Sequence, residues 1–566
     1  MVYYMKDYSN WKPILDYEND SPWVDPSRVW LKSRPPNYPK TIKHDPIPVH
    51  EFLKLSAQKF PNNVCIFDKP TDRKFTYREV VNTADRIAYA LQQLGIGKGD
   101  CVGTMSVNCP EYILAWFGIL VSGATVVPIN PLLKEDDVIH IVRDTGNMEA
   151  FFVHSANYGT IKKSREQVKI KHLILLDDTG EKEDSITLEE FINGKPAKAP
   201  EVEIDPVNDL VALMFTGGTT GLPKGVMLSH HNFLAPALRA NLHNKSLEEI
   251  ESQQGKDVFI INLPLCHIYG FITLLSAFYN AAMIVIFPFE PAEVLEGIEY
   301  YKTTRFSGVP IMWQMMINHP DFTERDLSSL DRLISGGAAL APELGRRFEE
   351  VVGIKIGQGY GMTETTGVGT FPMKWLPEGI KVNSVGCPLV DIDAKIVNPE
   401  TLEPVGPNEV GEIMFRGSNI MKGYWKNPEA TKKELIDGWL RTGDLGRMDE
   451  NGYFYIEGRT KDMVKYKGYK VMAREVEEKL MEHPAILEAG VVGIPDPNIG
   501  ETIKAFVVLR EGYSDKVNEQ EIIEWSKERF AAYKYPRHVE FIETLPRTGV
   551  GKILRKALRE KEIEKQ

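Results

Sequence analysis

Cysteine is scarce in this chain: Cys65, Cys101, Cys109, Cys266 and Cys387 are the five in 566 residues. An odd number with no C-x-x-C spacing argues against a disulfide framework and a zinc site, and fits a reducing cytoplasm. An excess of positive charge is also missing. The chain has 67 Lys plus Arg against 79 Asp plus Glu, a net charge of −12. Nucleic acid is therefore not expected as the main partner, because phosphate backbones are held by clustered Lys and Arg. A local basic patch for a small phosphorylated ligand stays compatible with that balance. With 45 Gly and 36 Pro, punctuation is ordinary, so collagen-like and low-complexity chains are excluded.

A continuous membrane span is lacking too. Residues 1–10 contain no apolar core of a signal peptide. Residues 112–129 carry no charge beyond their flanks, but Ser122, Gly123 and Pro128 break them into a helix followed by a strand. Residues 258–289 contain no Asp, Glu, Lys or Arg across 32 positions. Their Asn262, Pro264, His267, Gly270, Asn280 and Pro288 suit a lined pocket or buried sheet, so no transmembrane segment is expected.

What the chain does contain is alternation. Helical and strand signals follow one another along most of its length, which predicts α/β layers, and the length predicts about three to four domain-sized units. Thr76-Tyr77-Arg78-Glu79 reads as a capping box, followed by apolar Ala84, Ile87, Ala88, Leu91 and Leu94 and a stop at Gly95. Pro342 and Pro428 are placed to open helices, the second behind an Asn427 cap. Val126, Val127 and Leu173 to Leu175 belong to buried-strand runs. Residues 177–200 are polar and turn-rich and read as a surface excursion. A domain break is expected near Gly458 to Asp462, giving a large domain over 1–457 and a small α+β domain over 458–566. Two helical stretches are predicted in the latter, 474–482 and 519–530.

The most informative stretch is Phe215-Thr216-Gly217-Gly218-Thr219-Thr220-Gly221-Leu222-Pro223-Lys224-Gly225, set between two strand-like runs. Its glycines let backbone approach an anion closely, and its threonines and Lys224 offer donors to phosphate oxygens. It is not a Walker A loop, because no Gly-Lys-Ser/Thr follows at the required spacing. This loop resembles the phosphate loop of the adenylate-forming superfamily of acyl-CoA synthetases, peptide-synthetase adenylation domains and luciferases. Four further motifs carry the resemblance in family order: Gly359-Tyr360-Gly361-Met362-Thr363-Glu364-Thr365; Gly438-Trp439-Leu440-Arg441-Thr442-Gly443-Asp444; Gly458-Arg459-Thr460-Lys461-Asp462 with Lys467-Gly468-Tyr469-Lys470; and Pro546-Arg547-Thr548-Gly549-Val550-Gly551-Lys552. It extends from about residue 50 to residue 556. The implied fold is α/β, a large N-terminal domain of layered α/β subdomains with a small mobile α+β C-terminal domain.

Activating a carboxylate requires bringing it against the α-phosphate of ATP, so two mutually repelling anions must be neutralised and aligned. The resemblance implies that Glu364 holds Mg²⁺, a hard cation that takes carboxylate and phosphate oxygens. It implies that Thr363 donates to the α-phosphate, Tyr360 stacks on adenine, and the small residues Gly336, Gly337 and Ala338 form the opposite wall. Asp444 suits the two ribose hydroxyls, since one carboxylate accepts several hydrogen bonds, with Arg459 beside it. Lys552 would stabilise the charge developing during adenylation. In the second step a thiol attacks the acyl-adenylate. The resemblance names coenzyme A as that thiol, Lys461 as the hinge, Gly468 as lining the pantetheine tunnel, and Lys467 and Tyr469 as its neighbours; Lys465 and Lys470 are further cations for CoA phosphates.

His267, in Leu263-Pro264-Leu265-Cys266-His267-Ile268-Tyr269-Gly270, would lie near the acyl carboxylate by the same resemblance. The uncharged run 258–289 offers no acid to hold a substrate ammonium, so an uncharged acyl tail is expected. Gly217 departs from the Ser of many relatives and is similar to fatty acyl-CoA synthetases. Met312, Trp313 and Gly367 to Gly369 are expected on the pocket wall.

The expected function is an AMP-forming acyl-CoA synthetase for a medium- or long-chain fatty acid. A CoA ligase for an aryl, branched or hydroxy acid is the competing enzyme reading. An adenylation domain serving a carrier protein is weakened because no carrier domain follows Lys556 in this sequence. A non-catalytic nucleotide- or acyl-binding paralogue is opposed by the presence of Lys552, Glu364 and Asp444 together. The expected partners are the acid, ATP and CoA, and a homodimer is left open.

Overall fold

A computed structural model describes residues 11–36, 38–146, 148–177, 184–216, 222–242, 247–467, 469–496, 499–547 and 553–563. Its contacts divide the chain into two compact units. The first lies within Met1–Ala394, Phe415–Leu440 and Asn451–Tyr453, and the second within Lys395–Met414, Arg441–Glu450 and Phe454–Gln566.

The first unit carries fifteen strands that build two large sheets, in chain order β1 (Val64–Asp68), β2 (Arg73–Thr76), β3 (Cys101–Met105), β4 (Thr125–Ile129), β5 (Met148–Val153), β6 (Ile170–Leu175), β7 (Ile186–Thr187), β8 (Leu210–Thr216), β9 (Lys224–Ser229), β10 (Val258–Ile260), β11 (Met283–Ile286), β12 (Arg305–Gly308), β13 (Arg332–Ser335), β14 (Gly357–Gln358) and β15 (Gly423–Tyr424). One sheet has eight strands in the order β15-β9-β8-β4-β3-β5-β6-β7, and the other seven in the order β14-β13-β12-β10-β11-β1-β2. Both are parallel through their middles, with antiparallel pairs β8–β9 and β9–β15 at one edge of the first and β1–β2 at an edge of the second.

Helices fill the space that parallel connections require. Among them are α1 (Glu51–Lys59), α2 (Tyr77–Gln93), α3 (Pro110–Val121), α4 (His230–Leu242) and α5 (Ile268–Tyr279). α2 opens with the expected capping box, Thr76 accepting from Glu79 N while the Glu79 carboxylate returns to Thr76 N. α3 and α5 are apolar on nearly every face, and both are buried almost throughout, as a helix without a polar face must be. Trp116 of α3 and Phe271 of α5 lie 4.1 Å apart between ring centroids, within a core that gathers Val102 and Val126 of one sheet and Ile66 and Ile284 of the other. No helix among the described residues is long and apolar enough to cross a membrane.

The described residues 184–200 do more than run over the surface, while 178–183 of the expected excursion lie outside the described residues. Thr187 and Glu190 form a second capping box, which starts a short helix, Leu188–Ile192, that buries Leu188 and Phe191. The sequence pattern is too short to show this, because only two apolar side chains carry it.

In the second unit, β16 (Trp439–Met448) turns back on β17 (Phe454–Arg459) as an antiparallel pair, with Asp444 opposite Arg459. A further sheet has β18 (Met463–Tyr466), β19 (Tyr469–Met472), β20 (Ile486–Asp496), β21 (Gly500–Leu509) and β22 (His538–Phe541) in the order β19-β18-β21-β20, with β22 also pairing with β21. Helices α6 (Ala473–Leu480), α7 (Glu519–Arg529) and α8 (Arg555–Ile563) complete it. The two helices expected here, 474–482 and 519–530, are present with ends within two residues of those bounds, and the unit also takes in Lys395–Met414 and Arg441–Glu450, ahead of the break expected near Gly458.

Candidate active site

In the first unit the candidate residues follow the carboxyl ends of parallel strands, the edge at which α/β sheets present ligand-binding loops. The Gly/Thr-rich loop connects β8 to β9, and its base is fixed by the antiparallel pairing of Thr216 with Lys224. Gly217, Gly218, Thr219, Thr220 and Gly221 lie outside the described residues. After β13 comes Gly336, whose N–H donates to Gly308 O. A side chain at Gly336 would meet the Tyr269 ring at 2.9 Å, and Gly337 has φ +80°; close approach in one case and left-handed backbone in the other explain these glycines. Gly359 follows β14 and donates its N–H to Ser335 O. Gly361 lies so close to the Gly367 backbone that a Cβ would sit 2.4 Å from its carbonyl oxygen.

Thr363, Glu364 and Thr365 form one short 3-10 turn. Its closure is local, since Met362 N donates to Thr365 Oγ1, and Asn419 Nδ2 donates to Thr365 O and Val368 O from behind. Glu364 is buried, 6% exposed. The Tyr424 hydroxyl donates to Glu364 Oε1 at 2.9 Å, while Lys224 Nζ lies 4.9 Å from the Tyr424 ring centroid. Burial, and then the Glu364 carboxylate, push the Tyr424 phenol well above its ordinary range, so it stays a donor. Tyr424 thus connects the foot of the Gly/Thr loop to Glu364. Sequence reasoning missed it; the signal was its place in β15 beside β9, which only strand pairing shows. Tyr360 lies 6.0 Å from Phe415, ring to ring.

His267 is the residue before α5, and its N–H donates to Pro264 O. Two asparagines hold this segment. Asn108 donates from Nδ2 to Leu263 O at 2.8 Å and accepts from Leu265 N at 2.9 Å, and Asn130 Nδ2 lies 3.4 Å from His267 Nε2. The Tyr269 hydroxyl donates to Ile334 O. Burial pushes the neighbouring Cys266 thiol up to about 12, which leaves it inert. Gly367 faces Ile268 and Ile272 of α5 at 3.3 and 3.5 Å from an ideal Cβ. Trp313 belongs elsewhere than expected. It is fully buried between Phe306 and Phe348 and is part of the core, as is most of Met312.

In the second unit Asp444 is buried, 6% exposed, on the bend that opens the β16–β17 pair. Thr442 holds that bend, donating to Ile413 O at 2.7 Å and accepting from Asp444 N at 3.1 Å. Gly443 N donates to Glu412 Oε1. Arg459 Nε donates to Asp444 Oδ1 at 3.0 Å, so two of the expected residues meet. Lys461 sits on a one-turn helix, Thr460–Asp462, and its carbonyl accepts from Arg559. Tyr469 is exposed and stacks on Tyr533, 4.4 Å between centroids at 17°. Nearby Arg537 lies over Tyr535 and Tyr466 at 3.5 and 4.4 Å. Lys467 takes a left-handed φ of 49°. Tyr533, Tyr535 and Arg537 were not anticipated from sequence, because they are distant in the chain from Tyr469. Gly468 and Lys552 lie outside the described residues.

The AMP-binding enzyme family matches residues 53–425, and the AMP-binding enzyme C-terminal domain family matches residues 475–552. The chain is 37% identical to a long-chain-fatty-acid–CoA ligase of Bacillus subtilis (strain 168), over 95% of this chain and 98% of that protein. It is 33% identical to 4-coumarate–CoA ligase 1 of Narcissus pseudonarcissus, over 91% and 94% of the two chains. The crystal structure of the anthranilate CoA ligase AuaEII with anthranoyl-AMP matches with a TM-score of 0.82 at 29% identity, covering 92% of this chain and 98% of that one. With two family profiles in chain order over most of its length and full-length relatives of this kind, the protein belongs to the AMP-binding, adenylate-forming enzyme family, in its AMP-forming CoA ligase branch.

Proposed function

We propose that the protein activates a medium- or long-chain fatty acid and transfers it to CoA. One carboxylate oxygen of the acid attacks the α-phosphorus of ATP, forming the acyl–O–phosphorus bond as the bond to pyrophosphate breaks. The CoA thiolate then attacks the acyl carbonyl carbon and AMP leaves.

The observation that carries the fatty-acid reading is the uncharged run 258–289, which supplies α5 and its apolar surroundings next to His267. A charged or amino-bearing acid would need a buried counter-charge there. The similarity to the Bacillus enzyme supports the same reading; the coumarate and anthranilate relatives support an aryl acid as the second reading.

In this scheme Thr216 to Gly221 and Lys224 hold the ATP phosphates, and Thr363 donates to the α-phosphate. Tyr360 packs on adenine opposite Gly337 and Ala338, beside Gly359 and Gly361. Asp444 accepts from the ribose with Arg459 beside it, and Lys552 meets the developing charge. Glu364 is a buried carboxylate whose Oε1 accepts from Tyr424, which fits a cation that takes a protein carboxylate and completes its shell with phosphate oxygens and water. Bound Mg²⁺ would neutralise phosphate charge. His267 faces the acyl carboxylate. Lys461 is the hinge of a C-terminal domain beginning near residue 458, and Lys467, Gly468 and Tyr469 receive CoA, a role the Tyr469–Tyr533 stack and Arg537 suit by offering ring faces and a cation to a nucleotide.

The test is incubation with ATP, Mg²⁺, CoA and straight-chain acids of two to eighteen carbons, alongside coumarate, anthranilate and hydroxy acids. Acyl-CoA and AMP formation peaking among medium or long straight chains is expected. A maximum among aryl acids would replace the fatty-acid reading with the second one.

A further inference from the structure

The segment that leads into His267 belongs to one sheet, but the side chains that hold it come from the other. Asn108 and Asn130 follow the carboxyl ends of β3 and β4, neighbouring parallel strands in register from Cys101↔Thr125 to Met105↔Ile129. The segment they reach, residues 261–267, follows β10 in the seven-stranded sheet.

The two asparagines act differently. Asn108 spends both ends of its amide on backbone, Leu263 O and Leu265 N, and so fixes the path of the chain. Asn130 addresses a side chain. Its Oδ1 accepts from Leu132 N at 2.9 Å, so the amide oxygen is engaged by its own turn and the Nδ2 end faces His267 Nε2 at 3.4 Å. An amide nitrogen only donates. His267 Nε2 is therefore the acceptor, and in the neutral ring the hydrogen resides on Nδ1.

We propose that Asn130 is a positioning residue for the first half-reaction: it sets the orientation and the Nδ1–H tautomer of His267, so that the imidazole meets the acyl carboxylate as a neutral donor. The inference rests on the reading of His267 as the residue facing that carboxylate. It makes Asn130 act through His267 and not on substrate directly.

That dependence is what a double-mutant cycle measures. The full-length enzyme, with the acid it turns over best, is assayed as wild type, Asn130→Ala, His267→Ala and the double variant. Asn130→Ala is expected to lower kcat/KM for the acid about five- to tenfold, with KM for ATP unchanged within about twofold, and to lower nothing further once His267 is Ala. Asn130→Asp retains the oxygen that caps Leu132, and so protects the fold, but presents an acceptor to Nε2. It is expected to cost at least as much as Asn130→Ala in the parent and nothing in the His267→Ala background. A loss that persists undiminished without His267, or no loss when His267→Ala itself is impaired, overturns the inference alone. If His267→Ala leaves kcat/KM for the acid untouched, the reading of His267 falls first and the inference falls with it.

Discussion

The two units differ in how far their candidate residues are held by their surroundings. In the first, Glu364 and His267 lie at strand ends where neighbours from distant parts of the chain fix them: Tyr424 on one, Asn130 on the other. In the second, Asp444 is also buried but is set by near neighbours, Thr442 in its own bend and Arg459 across the strand pair, while Lys467 and Tyr469 stand on a short hairpin with exposed side chains. Groups that neutralise charge in a transition state gain from being preorganised in a dry setting. Groups that meet a large, mobile cosubstrate need access more than rigidity. Buried residues should accordingly cost much when altered, and exposed ones little.

The largest effect is expected at Glu364. Glu364→Gln should reduce acyl-adenylate formation at least about 100-fold, in line with the loss of one preorganised electrostatic group, as read by acid-dependent pyrophosphate release. Tyr424→Phe, which keeps the ring facing Lys224 and removes only the hydroxyl, should cost about tenfold and raise the Mg²⁺ concentration at half-maximal rate. A Tyr424→Phe enzyme with unchanged Mg²⁺ dependence would separate Tyr424 from the carboxylate. Next comes Asp444→Ala, expected to raise KM for ATP by about 10- to 100-fold, the cost of lost hydrogen bonds to a charged group; equal effects on ATP and on the acid would break the assignment to ribose. At the exposed end, Tyr469→Ala should raise KM for CoA only about three- to fivefold, of the order of one surface stacking contact, and leave pyrophosphate release unchanged. If it impaired the first step as strongly as Glu364→Gln, the contrast between buried and exposed residues would collapse.

The smallest effect concerns stability and not catalysis. His230 is buried at the start of α4, and its Nδ1 accepts from Val49 N at 3.1 Å. Burial, and then His50, hold its imidazole well below the usual histidine range; His50 is lowered as well, first by burial. Both are thus harder to protonate in the folded state than in the unfolded chain. The unfolded state therefore binds more protons below about pH 6.5, and stability falls with falling pH by up to about 1.4 kcal/mol per unit for each histidine. Melting temperature should drop between pH 7 and pH 5.5, and His230→Asn should flatten that drop by the share of one histidine.

Much of this protein was legible in its sequence. The capping box at Thr76 and the proline-opened helices at Pro342 and Pro428 follow from local backbone chemistry and recur in the structure. The break of residues 112–129 into α3 and β4 at Ser122 and Gly123 was equally readable. The motifs around Thr216, Thr363 and Asp444 stand out because the residues of each are contiguous in the chain. Tyr424, Asn108, Asn130 and Tyr533 were not, since each acts on a partner far away in sequence. Trp313 was misjudged for the same reason: a large aromatic residue in an apolar run fits a pocket wall or a core equally well until its neighbours Phe306 and Phe348 are known.

The sequence by itself determined where many of the elements start and stop, which contiguous loops gather glycine, hydroxyl and cationic side chains, and that residues 258–289 contain no charge. Those properties depend on residue type and on spacing of a few positions. The tertiary structure alone decided which hydroxyl holds Glu364, which amide faces His267 and which aromatic ring packs on Tyr469. These follow from strand order and register, and a parallel sheet brings together strand ends separated by dozens to hundreds of residues through crossovers whose order no local pattern records.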